Sequence, residues 1–179
     1  MLIARSSVEC QLYMDLHACS CGETSFEADH VLREDDEGRL LAVYGGSCAR
    51  CGLPRQFTFE LDEAIPPSPP AFGGSVASRI ICPGEFLLVA EQAAASVALV
   101  PAADAAPQQL DPDRLAVATA VAAVEEVLKF IPDAMDAVPA EAFISSVGRA
   151  AYAREPGRFT RARLEATATA YRDALAARL

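Results

Sequence analysis

Residues 17–22 read HACSCG and residues 48–52 read CARCG, and these two stretches decide how the first part of the 179-residue chain folds. Each holds two cysteines a short step apart and then a glycine: Cys19-x-Cys21-Gly22 and Cys48-x-x-Cys51-Gly52. Glycine tolerates positive φ, so the chain can turn back sharply and aim backbone amides at the sulfurs. The residues between and after the pairs read as strands. Thr24–Arg33 alternates in part, Arg39–Gly46 is apolar and β-prone, and Arg55–Leu61 sets Phe57, Phe59 and Leu61 on one face against Gln56, Thr58 and Glu60 on the other. The acidic stretch Glu34-Asp35-Asp36-Glu37-Gly38 joins the first two as a hairpin. Antiparallel strands would bring the two cysteine turns together.

Zinc takes four ligands at tetrahedral angles, and two turns of two thiolates each supply them. Cys19, Cys21, Cys48 and Cys51 are the candidate ligands. The first pair is one spacer short, which keeps His17 open as a replacement ligand. Three other readings compete: a disulfide, a redox Cys-x-x-Cys, or cysteines that only fill a small core. The N-terminal MLIARSSVEC has no apolar stretch of the secretory kind, so reduced cytoplasmic thiols are expected. A redox pair would open a helix in a βαβ unit, and that context is missing. Cys10 and Cys82 stand alone. Each is read as a small buried hydrophobe, with a reactive thiol at a helix start as the sharper reading for Cys82.

The stretch from about residue 17 to residue 62 resembles a zinc ribbon, in which two cysteine turns sit at strand ends of a small three-stranded sheet. The resemblance implies a zinc ion held by Cys19, Cys21, Cys48 and Cys51 in a structural role. Four thiolates leave no position for water or substrate, and a segment this short has too little core to hold itself together unaided.

Elsewhere the sequence is helical. Ser6-x-x-Glu9 has the form of a capping box, followed by Val8, Leu12 and Leu16, for a helix over about 7–17. Residues 65–74, IPPSPPAFGG, exclude a continuous helix or central strand and read as a linker or covering loop. Pro83 and Glu85 open a helix to about Val97, and Asp111-Pro112-Asp113 opens another. The latter buries Val117, Val121, Val124, Leu128 and Ile131 and stops before Pro132. A short helix is expected from Pro139 through Ile144. A last one runs from about Gly157 to the end, with Leu164, Ala168, Tyr171 and Leu175 inside. The expected fold is therefore α+β: an N-terminal helix and a three-stranded antiparallel zinc ribbon over residues 1–65, a Pro/Gly-rich linker with an apolar lead-in strand over 66–82, and a layer of three to four helices over 83–179.

The net charge is −10, divided unevenly: −7 over residues 1–65, −7 over 66–145 and +4 over the remainder. Arg149, Arg154, Arg158, Arg161 and Arg163 crowd the C-terminal quarter, where pairing with acids of the same chain is the plainer expectation and phosphate contact the sharper one. Fourteen arginines against one lysine, with abundant alanine, suggest a GC-rich bacterial genome. No apolar run is long enough to cross a membrane.

An acidic chain is a poor match for nucleic acid and a better one for a basic protein, whose approach it would steer. The short helix, the two cysteine turns, Phe72-Gly73-Gly74 and Ser78-Arg79-Ile80-Ile81 together look like small bacterial zinc-ribbon proteins, some of which are thought to be immunity partners of secreted toxins. That resemblance implies a non-catalytic, acidic binder of a basic protein. The alternative is a zinc-ribbon adaptor on nucleic acid or the transcription apparatus. A small metalloenzyme is the weakest reading, since neither an open coordination position nor an acid/base pair is visible, and no small-molecule substrate is expected.

Overall fold

A computed structural model describes residues 1–97 and 112–178. Chain contacts divide it into two compact units. The first holds Met1–Pro67 with Phe72–Gly74 and Ser78–Ile80, and the second holds the rest.

In the first unit, strand β1 (Leu2–Ala4) leads into helix α1 (Ser7–Leu16), and three longer strands follow: β2 (Phe26–Glu34), β3 (Leu40–Cys48) and β4 (Pro54–Leu61). They form one sheet in the order β1-β4-β3-β2. The three antiparallel strands expected from the sequence are the last three. The sheet is four-stranded and mixed, because β1 runs parallel to β4 with Leu2 opposite Phe59 and Ala4 opposite Leu61. Three residues carry no measurable alternation, so β1 is invisible to periodicity.

The β2–β3 pairing is unbroken from Phe26 opposite Cys48 to Glu34 opposite Leu40. Asp35 builds the turn between them. Its Oδ1 accepts the amides of Glu37 (3.0 Å) and Arg39 (2.9 Å), and Gly38 takes φ +78°. Its carboxylate also pairs with Arg39 at 2.7 Å, which holds its pKa below the usual range.

Helix α1 begins at Ser6, whose Oγ accepts the amide of Glu9 at 3.0 Å. The Glu9 carboxylate takes the amide of Arg5 (2.7 Å) and its guanidinium (2.6 Å), forming a buried ion pair. Ser6 also donates to the carbonyl of Phe72. At Gly73 a Cβ would lie 2.6 Å from the Arg5 guanidinium, so only glycine lets that loop pass the ion pair. Gly73 thus serves close approach, while a Cβ on Gly74 would meet open space. Aromatic rings fill the space between α1 and the sheet: Tyr13 meets Phe59 edge-on at 5.5 Å, and Tyr44 meets Phe59 at 5.9 Å.

In the second unit the described residues form helices α2 (Pro83–Ala95), α3 (Pro112–Leu128), α4 (Ser146–Arg154) and α5 (Arg161–Ala176), with short 3₁₀ turns at Ala140–Ala142 and Pro156–Phe159. Residues 79–81 are bends, and no strand forms over 78–82 where an apolar lead-in strand was expected. Cys82 caps α2, and its amide is taken by the Glu85 carboxylate at 2.9 Å. The proposed cap Asp111 lies outside the described residues. On α3, Val117, Val121 and Val124 are buried as read from the sequence, with Val127 rather than Leu128 on the inner face. The helix ends at Leu128, short of Pro132, and Ile131, also buried, lies in the turn that follows. Leu164 and Ala168 are buried on α5, while Tyr171 and Leu175 are only partly so.

Helix α4 has no counterpart in the sequence reading. Its one buried residue is Gly148, so it has no apolar stripe to detect. It is held by close contact instead. A Cβ on Gly84 would lie 2.5 Å from the Gly148 Cα, and one on Gly148 would lie 2.2 Å from Cys82 Sγ.

Candidate metal centre

The sheet register creates the site. Phe26, the first residue of β2, lies opposite Cys48, the last of β3, and Ser47 lies opposite Pro54 at the start of β4. The turn preceding β2 and the turn joining β3 to β4 therefore meet at one end of the sheet. Each is closed by the same pair of backbone hydrogen bonds. Gly22 N–H reaches the Cys19 carbonyl (2.8 Å) and Cys19 N–H the Glu23 carbonyl (2.8 Å). Gly52 N–H reaches the Cys48 carbonyl (2.9 Å) and Cys48 N–H the Leu53 carbonyl (2.9 Å). Gly22 and Gly52 have φ of +87° and +70°, with open space where a Cβ would be. Glycine is needed at both for conformation and not for room. The shorter first pair closes its turn as well as the second does.

All four sulfurs lie within 4.8 Å of one another. Cys19 Sγ is 3.6 Å from Cys51 Sγ, and Cys21 Sγ is 3.6 Å from Cys48 Sγ. Thiolates about 2.3 Å from a tetrahedral metal are separated by edges of about 3.8 Å, and a disulfide would bring two of them to about 2.05 Å. The spacing is that of ligands around a metal ion. Each short edge joins one turn to the other, so a single ion would tie the two turns together.

The local electrostatics favour a cation. The amide of Cys21 turns toward Cys19 Sγ and pulls that thiol down to about 6. The amide of Cys51, helped by that of Arg50, lowers Cys48. The Leu53 amide works in the same direction on Cys51, but the crowded thiols of Cys21, Cys19 and Cys48, together with desolvation, outweigh it and push Cys51 up to about 12. Cys21 is raised as well: the Glu23 amide lowers it, but desolvation and the thiols of Cys48 and Cys19 prevail. Each turn thus offers one ready thiolate and one that resists adding a further negative charge, and a dication between them removes that resistance.

His17 is engaged elsewhere. Its Nδ1 lies 2.7 Å from the Tyr13 carbonyl, and its ring stacks on Tyr13 at 3.8 Å. The group of four thiols is complete without it. His30, on β2, stacks on Tyr44 at 4.5 Å. Cys10 is fully buried, and burial, with Glu9 beside it, pushes its thiol up to about 12. Cys82 is buried with its sulfur 3.3 Å from Ser145 Oγ.

Arg55 is the supporting residue that sequence reading passes over. It sits on β4, nearly buried, and its guanidinium donates to the carbonyls of Thr24 (2.9 Å) and His17. These carbonyls bracket the irregular segment that carries Cys19 and Cys21. The guanidinium lies over the rings of Phe26 (4.5 Å) and Phe57 (5.2 Å). In the sequence Arg55 is only the polar start of an alternating strand. Its partners lie 31 and 38 positions earlier.

Among the described residues no helix is long and apolar enough to cross a membrane. Comparison with known protein families, with curated proteins and with solved structures yields no match to the chain.

Proposed function

We propose that the protein holds one zinc ion on Cys19, Cys21, Cys48 and Cys51 as a structural staple, and that it is a non-catalytic cytoplasmic protein that binds a basic protein partner in the manner of an immunity protein. The observation that carries this reading is the convergence of the four sulfurs within 4.8 Å from two turns at one end of the sheet. An all-thiolate donor set suits zinc, and four such ligands use every tetrahedral position, so the ion would shape a surface and not a reaction. Support for a basic partner comes from charge. Glu34, Asp36 and Glu37 stand exposed at the β2–β3 hairpin tip, where they add to a net charge of −10.

The nucleic-acid alternative draws on the zinc ribbon and on the arginine-bearing C-terminal quarter, and several of those arginines are engaged inside the helical unit. Arg149 donates to the Ile144 carbonyl at 2.6 Å, and Arg161 donates to the carbonyls of Pro132 and Met135 at 3.3 Å. Arg158 pairs with Glu91, and Arg172 with Glu125 at 2.7 Å. These contacts favour the first reading.

The experiment is metal analysis of untagged protein followed by co-purification from the native host at low and high salt. One zinc per chain and one basic protein at stoichiometric amount, released by salt and lost when Glu34, Asp36 and Glu37 are neutralised, support the proposal. Retention on immobilised DNA with no protein partner overturns it.

A further inference from the structure

Strand β2 lies at the margin of the sheet. One of its edges is paired to β3 along all nine residues, and among the described residues no strand pairs with the other. An open edge presents unpaired amides and carbonyls, and proteins ordinarily blunt it with proline, lysine or a bulge. The strand reads FEADHVLRE, with neither residue type and no bulge in its register. The charges it does carry, Glu27, Asp29, Arg33 and Glu34, are of both signs and so can pair as well as repel. Val31 and Leu32 are 56% and 53% exposed on opposite faces of it.

We propose that β2 pairs antiparallel with β2 of a second copy of this chain, about a two-fold axis passing through His30. The strand's own charges argue for this occupant. In that register Phe26–Glu34 overlaps its copy completely. Glu27 then faces the partner's Arg33, and Arg33 faces the partner's Glu27. Ala28 faces the partner's Leu32, and Asp29 faces the partner's Val31 with the partner's Arg33 and the partner's Asp29 on its two diagonals. Within the chain neither Glu27 nor Arg33 has an ion pair among the described residues, so both are available.

The neighbouring registers are worse. Outward-facing residues must oppose one another, so the register shifts in steps of two. One such shift sets Asp29 against the partner's Asp29; the other sets Asp29 against the partner's Arg33 but carries Glu27 beyond the end of the partner's strand, and both shorten the overlap. A basic peptide on the same edge would gain from Glu27 and Asp29 but would meet Arg33. The isologous pairing satisfies both signs and closes on itself.

The test is sedimentation of the zinc-loaded full chain across a wide concentration range. The expected species has twice the 18.9 kDa chain mass. Glu27→Arg and Arg33→Glu each turn two attractive pairs repulsive and should weaken dimerisation roughly tenfold. The double variant restores both pairs with reversed sign and should dimerise like the wild type. Amide exchange supplies a second readout that needs no variant: alternate residues of 26–34 should exchange more slowly as concentration rises. A wild-type chain that stays monomeric, a dimer indifferent to both single changes, or a β2 edge with no concentration-dependent protection overturns the proposal. None of these readouts depends on a basic partner.

Discussion

Arg55 donates to the carbonyl of Thr24 across 2.9 Å, and through this contact and its second one to His17 a strand residue holds the first cysteine turn in place. The segment between α1 and β2 carries no helix or strand, and these two hydrogen bonds, together with one from Arg50 to the Cys21 carbonyl (3.3 Å), tie it to the sheet end. Removing the guanidinium leaves all four sulfurs present but frees the segment that carries two of them. Arg55→Ala should lower zinc affinity by about 10–100-fold, the usual range for loss of a supporting contact. Arg55→Lys should recover little, because an ammonium lacks the fork that reaches two carbonyls at once. Competition against a chromophoric chelator measures both.

Removing a ligand should act on folding as well as on binding. Cys48→Ser breaks the 3.6 Å edge to Cys21 and should abolish stoichiometric zinc. Because the sulfurs lie where β2, β3 and β4 meet, strong chelators should loosen the β2–β3–β4 hairpins in the wild type in the same way. Circular dichroism and metal content before and after chelation provide the check. A metal-free wild type with an unchanged spectrum and melting curve would show that the ion is not a staple.

Cys10 predicts an alkaline weakness. Its folded thiol stands at about 12 against an ordinary 9.0, chiefly through burial. A raised pKa contributes stability that is complete below 9 and lost as pH rises toward 12. Tyr44, also pushed up to about 12 by burial and by Cys10, joins only above its ordinary value of 10.0. Between pH 9 and 10 the effect therefore belongs mainly to the thiol. Urea midpoints of zinc-loaded protein should fall from pH 8 to pH 10 in the wild type and stay flatter in Cys10→Ala. Parallel slopes in the two proteins would remove Cys10 as the cause.

The helical unit supplies a steric test. A methyl at residue 148 would lie 2.2 Å from Cys82 Sγ, so Gly148→Ala should destabilise by about 1–3 kcal/mol, as overpacking commonly does. Cys82→Ala removes that sulfur, and the double variant should recover part of the loss. At Gly84 the obstacle is the Gly148 backbone at 2.5 Å, which cannot be trimmed. Gly84→Ala should therefore be destabilising with or without Cys82→Ala. Thermal melts of the wild type and these five variants separate the two cases.

The candidate ligands were legible because their signal is local. Two cysteines and a glycine within a few residues specify a turn and its thiols, and the positive φ of Gly22 and Gly52 follows from the same short stretches. Strands β2–β4 and the inner face of α3 were legible because alternation and helical spacing repeat over enough residues to stand out. The capping role of Ser6 was visible too, but the Glu9 carboxylate is taken by the amide and guanidinium of Arg5, and nothing in Ser6-x-x-Glu9 indicates that buried ion pair. What the chain alone determined is thus a list of short segments with strong internal preferences: two metal-type turns, a hairpin at Asp35, and proline-marked helix starts. Tertiary structure decided β1, whose three residues pair only because β4 is there to receive them, and α4, whose buried contact is a glycine. It also decided the role of Arg55, whose carbonyl partners become neighbours only after the sheet has formed. Each of these depends on a contact between residues far apart in sequence, and no local pattern records such a contact before the chain has closed the loop between them.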